Sequence, residues 1–339
     1  MKVAAFTLGP NVPSARARVR QYVRPLQQRG IRVDEHPLPW GNAFPKNRLS
    51  QPLWMAGTFA SRMLSVAQGA TADLSWISRQ LLPAFVPLER FVRNPLVMDV
   101  DDAIWLARGG ARAKDLATRA ATVVCGNEFL AEYFSKFNQR IIVIPTAVDT
   151  DRYSVPAVPP DSHGEIVIGW TGTSINFPYL YDIEKPLKQT LDRFSNTKLL
   201  VVAEKAPRFS SLSDHQVEFV RWTPEAEVAA IQRMTIGLMP LEDSDWCRGK
   251  CSFKMLCYMS CGVPAVVSPV GMNSEVLRLG DAGYAAGSHD EWTVALTALL
   301  ESKELRDRMG RTGRSIIETF FSVDKLSDRY SQLFRALRQ

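Results

Sequence analysis

The chain has 339 residues, 46% of them apolar and 22% charged, with a formal net charge of +6. That length exceeds what one hydrophobic core usually supports, so two domains are expected, and the composition is that of a globular chain rather than a disordered or fibrous one. No apolar run approaches the ~20 residues of a membrane span; the positive balance suits an anionic ligand or an anionic membrane surface, and without basic runs carrying interleaved aromatics it argues against nucleic acid.

The first residues read as a strand, VAAFTL (3–8), too short in its apolar stretch for a signal peptide. A glycine turn follows, then a helix over 14–29 that stops at Gly30. IRVDEHPL (31–38) is the second strand. Residues 49–68 form a helix with Leu53, Trp54, Phe59, Met63 and Leu64 spread over a broad apolar face, which suits either a core position or contact with a membrane. LSWIS (74–78), PLVMDVDD (95–102), ATVVCGN (121–127) and RIIVIPT (140–146) are further strands, with the helix NEFLAEYFSKF (127–137) between the last two. Strands alternating with helices imply a parallel doubly wound sheet. The Pro-rich VPAVPPDSHG (155–164) reads as a linker. The alternation then restarts with IVIGW (166–170), KLLVVAE (198–204), VEFVRW (217–222), TIGLMPL (235–241) and VPAVVS (263–268), and closes with helices over 289–300, 303–319 and 322–338.

The segment 246–276, WCRGKCSFKMLCYMSCGVPAVVSPVGMNSEV, carries the most chemistry. A loop with Arg248 and Lys250 enters a helix that has Lys254 in its first turn. Cations at a helix N-terminus are disfavoured unless an anion joins them, and helix-start amides cradle phosphate. The turn PVGMNSEV (269–276) opens the next helix, and Gly271, Asn273 and Ser274 leave its backbone accessible. Both turns belong at the carboxyl ends of strands, where open α/β sheets bind ligands. The first turn of the second block, GWTGTSINF (169–177), offers Gly172, Thr173 and Ser174 for a second phosphate; neither block has G-x-G-x-x-G, which weighs against a dehydrogenase.

Asp99, Asp101 and Asp102 end a buried strand, and strand alternation separates Asp102 from the other two. A D-x-D metal site, an acid pair for sugar hydroxyls or proton transfer, and a helix N-cap all remain open for them, with a ligand-facing role favoured for Asp101 or Asp102. Gly9 lies in the first turn, and Arg16, Arg18 and Arg20 follow it. Spaced by two on a helix, these arginines cannot share a face; Arg16 and Arg18 lie near the sheet edge, within reach of an anionic acceptor. Four of the five cysteines fall within 247–261 but lack C-x-x-C spacing and a nearby His, so they read as reduced core thiols rather than metal ligands. The four histidines are isolated, and there is no nucleophile elbow or Walker loop.

IPTAVDTDRY (144–153), IGW-TGT (168–173), IGLMPL (236–241) and above all YMSCGVPAVVSPVGMNSEV (258–276) together resemble family-four glycosyltransferases of the GT-B fold. DVDDAIW with WCRGKCSFK is similar to a subgroup of bacterial surface-polysaccharide assembly. The resemblance implies two Rossmann-like doubly wound domains facing a cleft. Residues 1–155 would form the acceptor domain and 165–321 the donor domain, with the C-terminal helix (322–339) crossing back to the first. It implies retaining, metal-independent transfer of a sugar from a nucleotide diphosphate sugar (UDP or GDP undecided), with no resident cofactor. The implied acceptor is a glycan or lipid-linked glycan. The implied location is the cytoplasm, at the inner face of the membrane where peripheral contact is made.

On that resemblance, Arg248 and Lys254 neutralise the leaving diphosphate with Lys250 assisting. Gly172, Thr173 and Ser174 hold phosphate or sugar, and Glu275 with the amides of Asn273 and Ser274 contacts the donor. Asp101 or Asp102 positions acceptor or sugar hydroxyls, and Gly9, Arg16 and Arg18 face the acceptor. The sequence departs from the family where paired Glu are usual, carrying Gly249 and Cys257 there, and it has Asp101 where many members have His. A GT-B epimerase, a phosphorylase and a non-catalytic nucleotide-sugar binder are the alternatives.

Overall fold

Two six-stranded sheets, each wholly parallel, account for the alternation of strands and helices. They come from a computed structural model, which describes all residues except 10–11, 41–44, 46, 83–87, 107–109, 159–163 and 339. The chain divides into two compact units. Unit 1 is Met1–Ala147 with Gly249–Cys251 and Val323–Gln339, and unit 2 is Val148–Arg248 with Ser252–Ser322.

Unit 1 begins with β1 (Lys2–Thr7), α1 (Pro13–Ala15), a π-helical stretch Arg16–Arg20 and α2 (Gln21–Gln28). Then come β2 (Arg32–Pro37), α3 (Gln51–Gly69), β3 (Leu74–Ser78), β4 (Leu96–Val100), α4 (Ala111–Arg119), β5 (Thr122–Cys125), α5 (Glu128–Ser135) and β6 (Ile141–Val143). The sheet order is β2-β1-β3-β4-β5-β6. β3, β4 and β5 are buried throughout, which is why they read as mostly apolar runs, with Ser75, Ser78, Asp99 and Thr122 as buried polar exceptions.

Unit 2 runs β7 (Ile166–Thr171), α6 (Phe177–Asp182), α7 (Glu184–Arg193), β8 (Thr197–Ala203), β9 (Val217–Arg221), α8 (Pro224–Arg233) and β10 (Ile236–Met239). It continues with α9 (Asp245–Arg248), α10 (Phe253–Ser260), β11 (Ala265–Val267), α11 (Met272–Leu277), β12 (Gly283–Ala285), α12 (His289–Glu301) and α13 (Lys303–Ile316). Its order, β12-β11-β10-β7-β8-β9, is the doubly wound arrangement that reverses direction between β7 and β10. Ser288 caps α12 in a capping box with Glu291, one local signal that set that helix start.

The last helix, α14 (Val323–Arg338), belongs to unit 1. Arg29 at the end of α2 pairs with Asp324 at 2.7 Å and Asp328 at 2.6 Å, and Tyr330 and Phe334 join Tyr22 and Trp76 in the core. Three particulars differ from the sequence reading. The first unit ends at Ala147 rather than 155, because Arg314 holds the Thr150 and Tyr153 carbonyls to unit 2 at 3.2 and 2.9 Å. Residues 159–163 of the expected linker lie outside the described residues. β12 was not foreseen; it is three residues long and only partly buried or exposed, so it leaves no apolar run.

Candidate functional site

At the switch between β7 and β10 the fully buried Tyr258 of α10 joins the two strands. Its hydroxyl accepts from the Thr171 amide at 3.0 Å and donates to the Leu238 carbonyl at 3.3 Å. The sequence reading did not single out this residue. The start of α10 is in turn tied to the turn into α11: Ser252, at φ +50, hydrogen-bonds through its hydroxyl to the buried Asn273 side chain at 2.7 Å, and Asn273 donates to the Ser268 carbonyl at 3.0 Å. Gly271 sits at φ +53, and a Cβ there would lie 2.7 Å from the Arg248 carbonyl oxygen, so only glycine lets these two turns meet.

Lys254 places its ammonium 4.2 Å from the centroid of the Trp170 ring. A Cβ at Gly172 would come within 2.7 Å of that nitrogen, so the bare glycine is what admits the lysine beneath the turn after β7. A cation seated on an indole face is held there by roughly 0.5–2 kcal/mol, at the sheet's switch point. Arg248 closes α9, where Asp243 holds it by two hydrogen bonds of 2.7 and 2.9 Å and Asp245 lies 3.6 Å away. Those bonds raise its pKa. Lys250 belongs with Gly249–Cys251 in unit 1. The three cations expected at one helix start are therefore distributed: Lys254 on Trp170, Arg248 on the acids before it, and Lys250 in unit 1.

The other turns are more occupied than their sequences suggest. The Gly172 amide bonds to the Val202 carbonyl at 3.0 Å, and Thr173 accepts from Asn176 at 2.9 Å. Ser174 donates its amide to both Glu204 carboxylate oxygens at 3.0 Å and its hydroxyl to one of them. An internal carboxylate thus takes the place proposed for a phosphate. Burial pushes the Glu204 carboxyl up, but the Ser174 hydrogen bonds and other contacts outweigh it, and the group titrates below the usual range. The amides of Asn273 and Ser274 go to the Val270 and Gly271 carbonyls at 3.2 and 3.1 Å, so the turn consumes the donors that were expected to meet a ligand. Glu275 lies in the first turn of α11, partly buried.

In unit 1, Arg18 is not an acceptor contact. It and Asp99 are completely buried, paired at 2.7 Å. Arg18 also donates to the Ile144 carbonyl and the Tyr330 hydroxyl at 2.9 Å each, while Asp99 accepts from Tyr330 at 2.6 Å and Trp76 at 3.0 Å. Every strong donor of the cluster has a partner, as burial of an ion pair requires. Arg20 is bound to Glu35 by two 2.8 Å hydrogen bonds and to the Gly9 carbonyl at 3.0 Å, so Gly9 faces a side chain of its own unit. Arg16 lies partly buried on the π-helical stretch.

Asp101 and Asp102 share one partner, Arg79, at 2.8 Å for Asp101 and closely for Asp102. The chain leaves β4 at Val100, so strand alternation no longer separates the two acids. Arg79, at φ +67 just past β3, is a residue the sequence reading missed. Burial pushes the Arg79 guanidinium down, and the two carboxylates more than offset it; burial likewise pushes the Asp102 carboxyl up against the pull of Arg79 and Lys250. All three side chains retain some exposure. The Asn127 side chain donates to the Lys250 carbonyl at 3.1 Å, and the Cys251 thiol donates to the Asp101 carbonyl at 3.2 Å. The five cysteines are buried and unbridged, and among the described residues no three His, Cys, Asp or Glu side chains cluster as a metal site.

Two doubly wound parallel sheets in succession, with a cation-bearing helix start at the switch point of the second, have the GT-B fold. Residues 167–302 match the model of the family described as glycosyl transferases group 1. Over 78 residues the chain is 35% identical to the N-acetyl-alpha-D-glucosaminyl L-malate synthase of Bacillus anthracis; that match covers 22% of this chain and 20% of that protein. Sucrose-phosphate synthase of Thermosynechococcus elongatus superposes with a TM-score of 0.75 at 14% identity, over 99% of this chain and 98% of that one. Anabaena Alr3699/HepE, in complex with UDP-glucose, superposes with a TM-score of 0.68 at 13% identity, over 99% and 100%. At these identities the structures establish the shared fold.

Proposed function

We propose that the protein transfers a sugar from a nucleotide diphosphate sugar to an acceptor hydroxyl with retention at the anomeric carbon and without a metal, in surface-polysaccharide or glycolipid assembly on the cytoplasmic side of a membrane. The observation that carries this is Lys254, seated on Trp170 beneath Gly172 at the β7–β10 switch of a group 1 glycosyltransferase domain. As the bond from the anomeric carbon to the β-phosphate oxygen breaks, charge accumulates on the leaving diphosphate. A cation already in place stabilises that charge most in the transition state.

In this reading Lys254 is the principal diphosphate contact. Arg248 joins it by turning its exposed guanidinium from Asp243, and Lys250 assists. Gly172 and Thr173 border the donor, Ser174 meets it once Glu204 yields its amide and hydroxyl, and Glu275 approaches the sugar. Asp101 and Asp102, oriented by Arg79, take sugar or acceptor hydroxyls, and Arg16 contacts the acceptor, a glycan or lipid-linked glycan. The nucleotide sugar bound to the structurally similar Anabaena protein supports the donor class.

A thermal-shift screen of UDP-, GDP- and ADP-sugars tests the reading, because a ligand that binds only the folded state raises its melting temperature. One nucleotide sugar should give a clear shift that Lys254→Ala abolishes. No shift with any of them, or an unchanged shift in Lys254→Ala, would overturn it. The anomeric configuration of the product then decides retention.

A further inference from the structure

Helix α3 is built inside out. Its buried residues are Thr58, Arg62, Val66 and Gly69. Arg62 is sealed inside, donating to the His36 and Thr7 carbonyls at 2.8 Å each. The opposite face carries Leu53, Ala56, Ala60, Leu64 and Ala67, spaced by three and four and all exposed, with Leu53 at 79% and Leu64 at 65%. Leu49, in the short turn just before α3, is 89% exposed. A surface helix normally turns its apolar stripe to the core. Single exposed leucines need no explanation, but a continuous apolar line along a 19-residue helix marks a surface that something other than water covers.

The charge pattern around it identifies the cover. Leaving aside the buried Arg62 and the Arg79 paired with Asp101 and Asp102, residues 36–98 hold the cations Lys46, Arg48, Arg90 and Arg93 and two acids, Asp73 and Glu89. Both acids are engaged: Asp73 accepts the Lys2 amide at 2.7 Å, and the buried Glu89 accepts the Leu81 amide at 3.0 Å. Arg48 at the start of the helix is exposed, as are Arg90 and Arg93. Those two flank the exposed Phe91, in a segment that Asn94 ties to the Gly69 carbonyl at the other end. An apolar ridge with exposed cations toward its ends and few acids in the surrounding sequence matches a helix lying in the headgroup boundary of an anionic bilayer. The ridge itself is Leu and Ala, without the polar partners that a protein interface places among its anchors. No described helix is long and apolar enough to cross a membrane.

We propose that the exposed face of α3 docks the protein on a membrane rich in anionic phospholipid. This deepens the proposed function by naming the surface that brings the protein to a lipid-linked acceptor, and it rests on that reading only for the acceptor. The test is co-sedimentation of the full chain with phosphatidylcholine vesicles containing or lacking phosphatidylglycerol. Wild type should bind the anionic vesicles, more weakly at high salt, and bind the neutral ones poorly. Leu53→Glu with Leu64→Glu should weaken binding by about tenfold or more. Leu53→Ser with Leu64→Ser should give an intermediate loss. Both variants should keep the wild-type melting temperature and the nucleotide-sugar thermal shift. Failure of wild type to bind anionic vesicles, equal binding by the folded double-Glu variant, or a wild-type dimer that this variant converts to monomer would each overturn the proposal. The nucleotide-sugar shift is read separately, so loss of one reading leaves the other standing or fallen on its own measurement.

Discussion

At the carboxyl edge of the first sheet, Arg18 and Asp99 are sealed from water and bonded to Tyr330, Trp76 and the Ile144 carbonyl. At the corresponding edge of the second sheet, Lys254 rests on the face of an indole and Arg248 is held by exposed carboxylates. Both edges bear cations after a glycine-containing turn, so in sequence they look alike. A completely buried guanidinium whose donors end on its own unit is architecture. The Lys254 ammonium, on an indole face and only partly buried, sits where a ligand of the second sheet would lie. Burial, more than residue type, divides structural charge from chemical charge.

Four experiments can break that division. Arg18→Ala strands a buried carboxylate and should destabilise the protein by about 3–5 kcal/mol in chemical denaturation. Arg18→Lys should rescue little of it, because an ammonium cannot span the same fork of partners. A mild effect would mean the pair is dispensable and the contrast false. Lys254→Ala should instead lower kcat/KM by about 100-fold while leaving the denaturation midpoint nearly in place; a loss of stability comparable to that of Arg18→Ala would make Lys254 structural too. Gly271→Ala should cost about 2 kcal/mol in the same denaturation measurement and weaken donor binding, since the collision with Arg248 separates the two turns.

Glu204→Gln is the gentlest. The Glu204 carboxyl is depressed in the folded protein, so its contribution is present above the ordinary carboxyl range and disappears as pH falls through the lowered value. The variant should be less stable than wild type at pH 7, by about 0.5 kcal/mol for so exposed a group. The gap should close toward pH 3 in thermal melts. If Ser174 meets the donor, the same variant should also lower the donor KM, because its carboxylate no longer competes.

Most strands were readable within one or two residues, because parallel strands covered on both faces are rich in Val, Ile and Leu. Partnerships across long sequence distances were not readable. Tyr330 lies 312 residues from Arg18, and neither motif names the other. One clue was present: an Asp inside the apolar run VMDV demands a buried counter-charge, which points to a nearby arginine as core rather than ligand. Arg79 offered no comparable signal, since its left-handed backbone and its grip on two acids both arise only once β3 and β4 are adjacent. The occupied turns at Ser174 and Asn273 were hidden for the same reason. A glycine- and serine-rich turn advertises free amides, and only the fold shows where those amides go.

The seating of α14 has a consequence for the order in which the molecule is made. Trp76, Asp99 and Arg18 wait for a hydroxyl and an aromatic ring that leave the ribosome more than two hundred residues later. Although its sequence comes first, the leading unit must persist through synthesis with an open apolar groove and a half-satisfied ion pair, while unit 2 has all its own strands in hand by residue 285. The first unit is thus finished after the second, closed by α14.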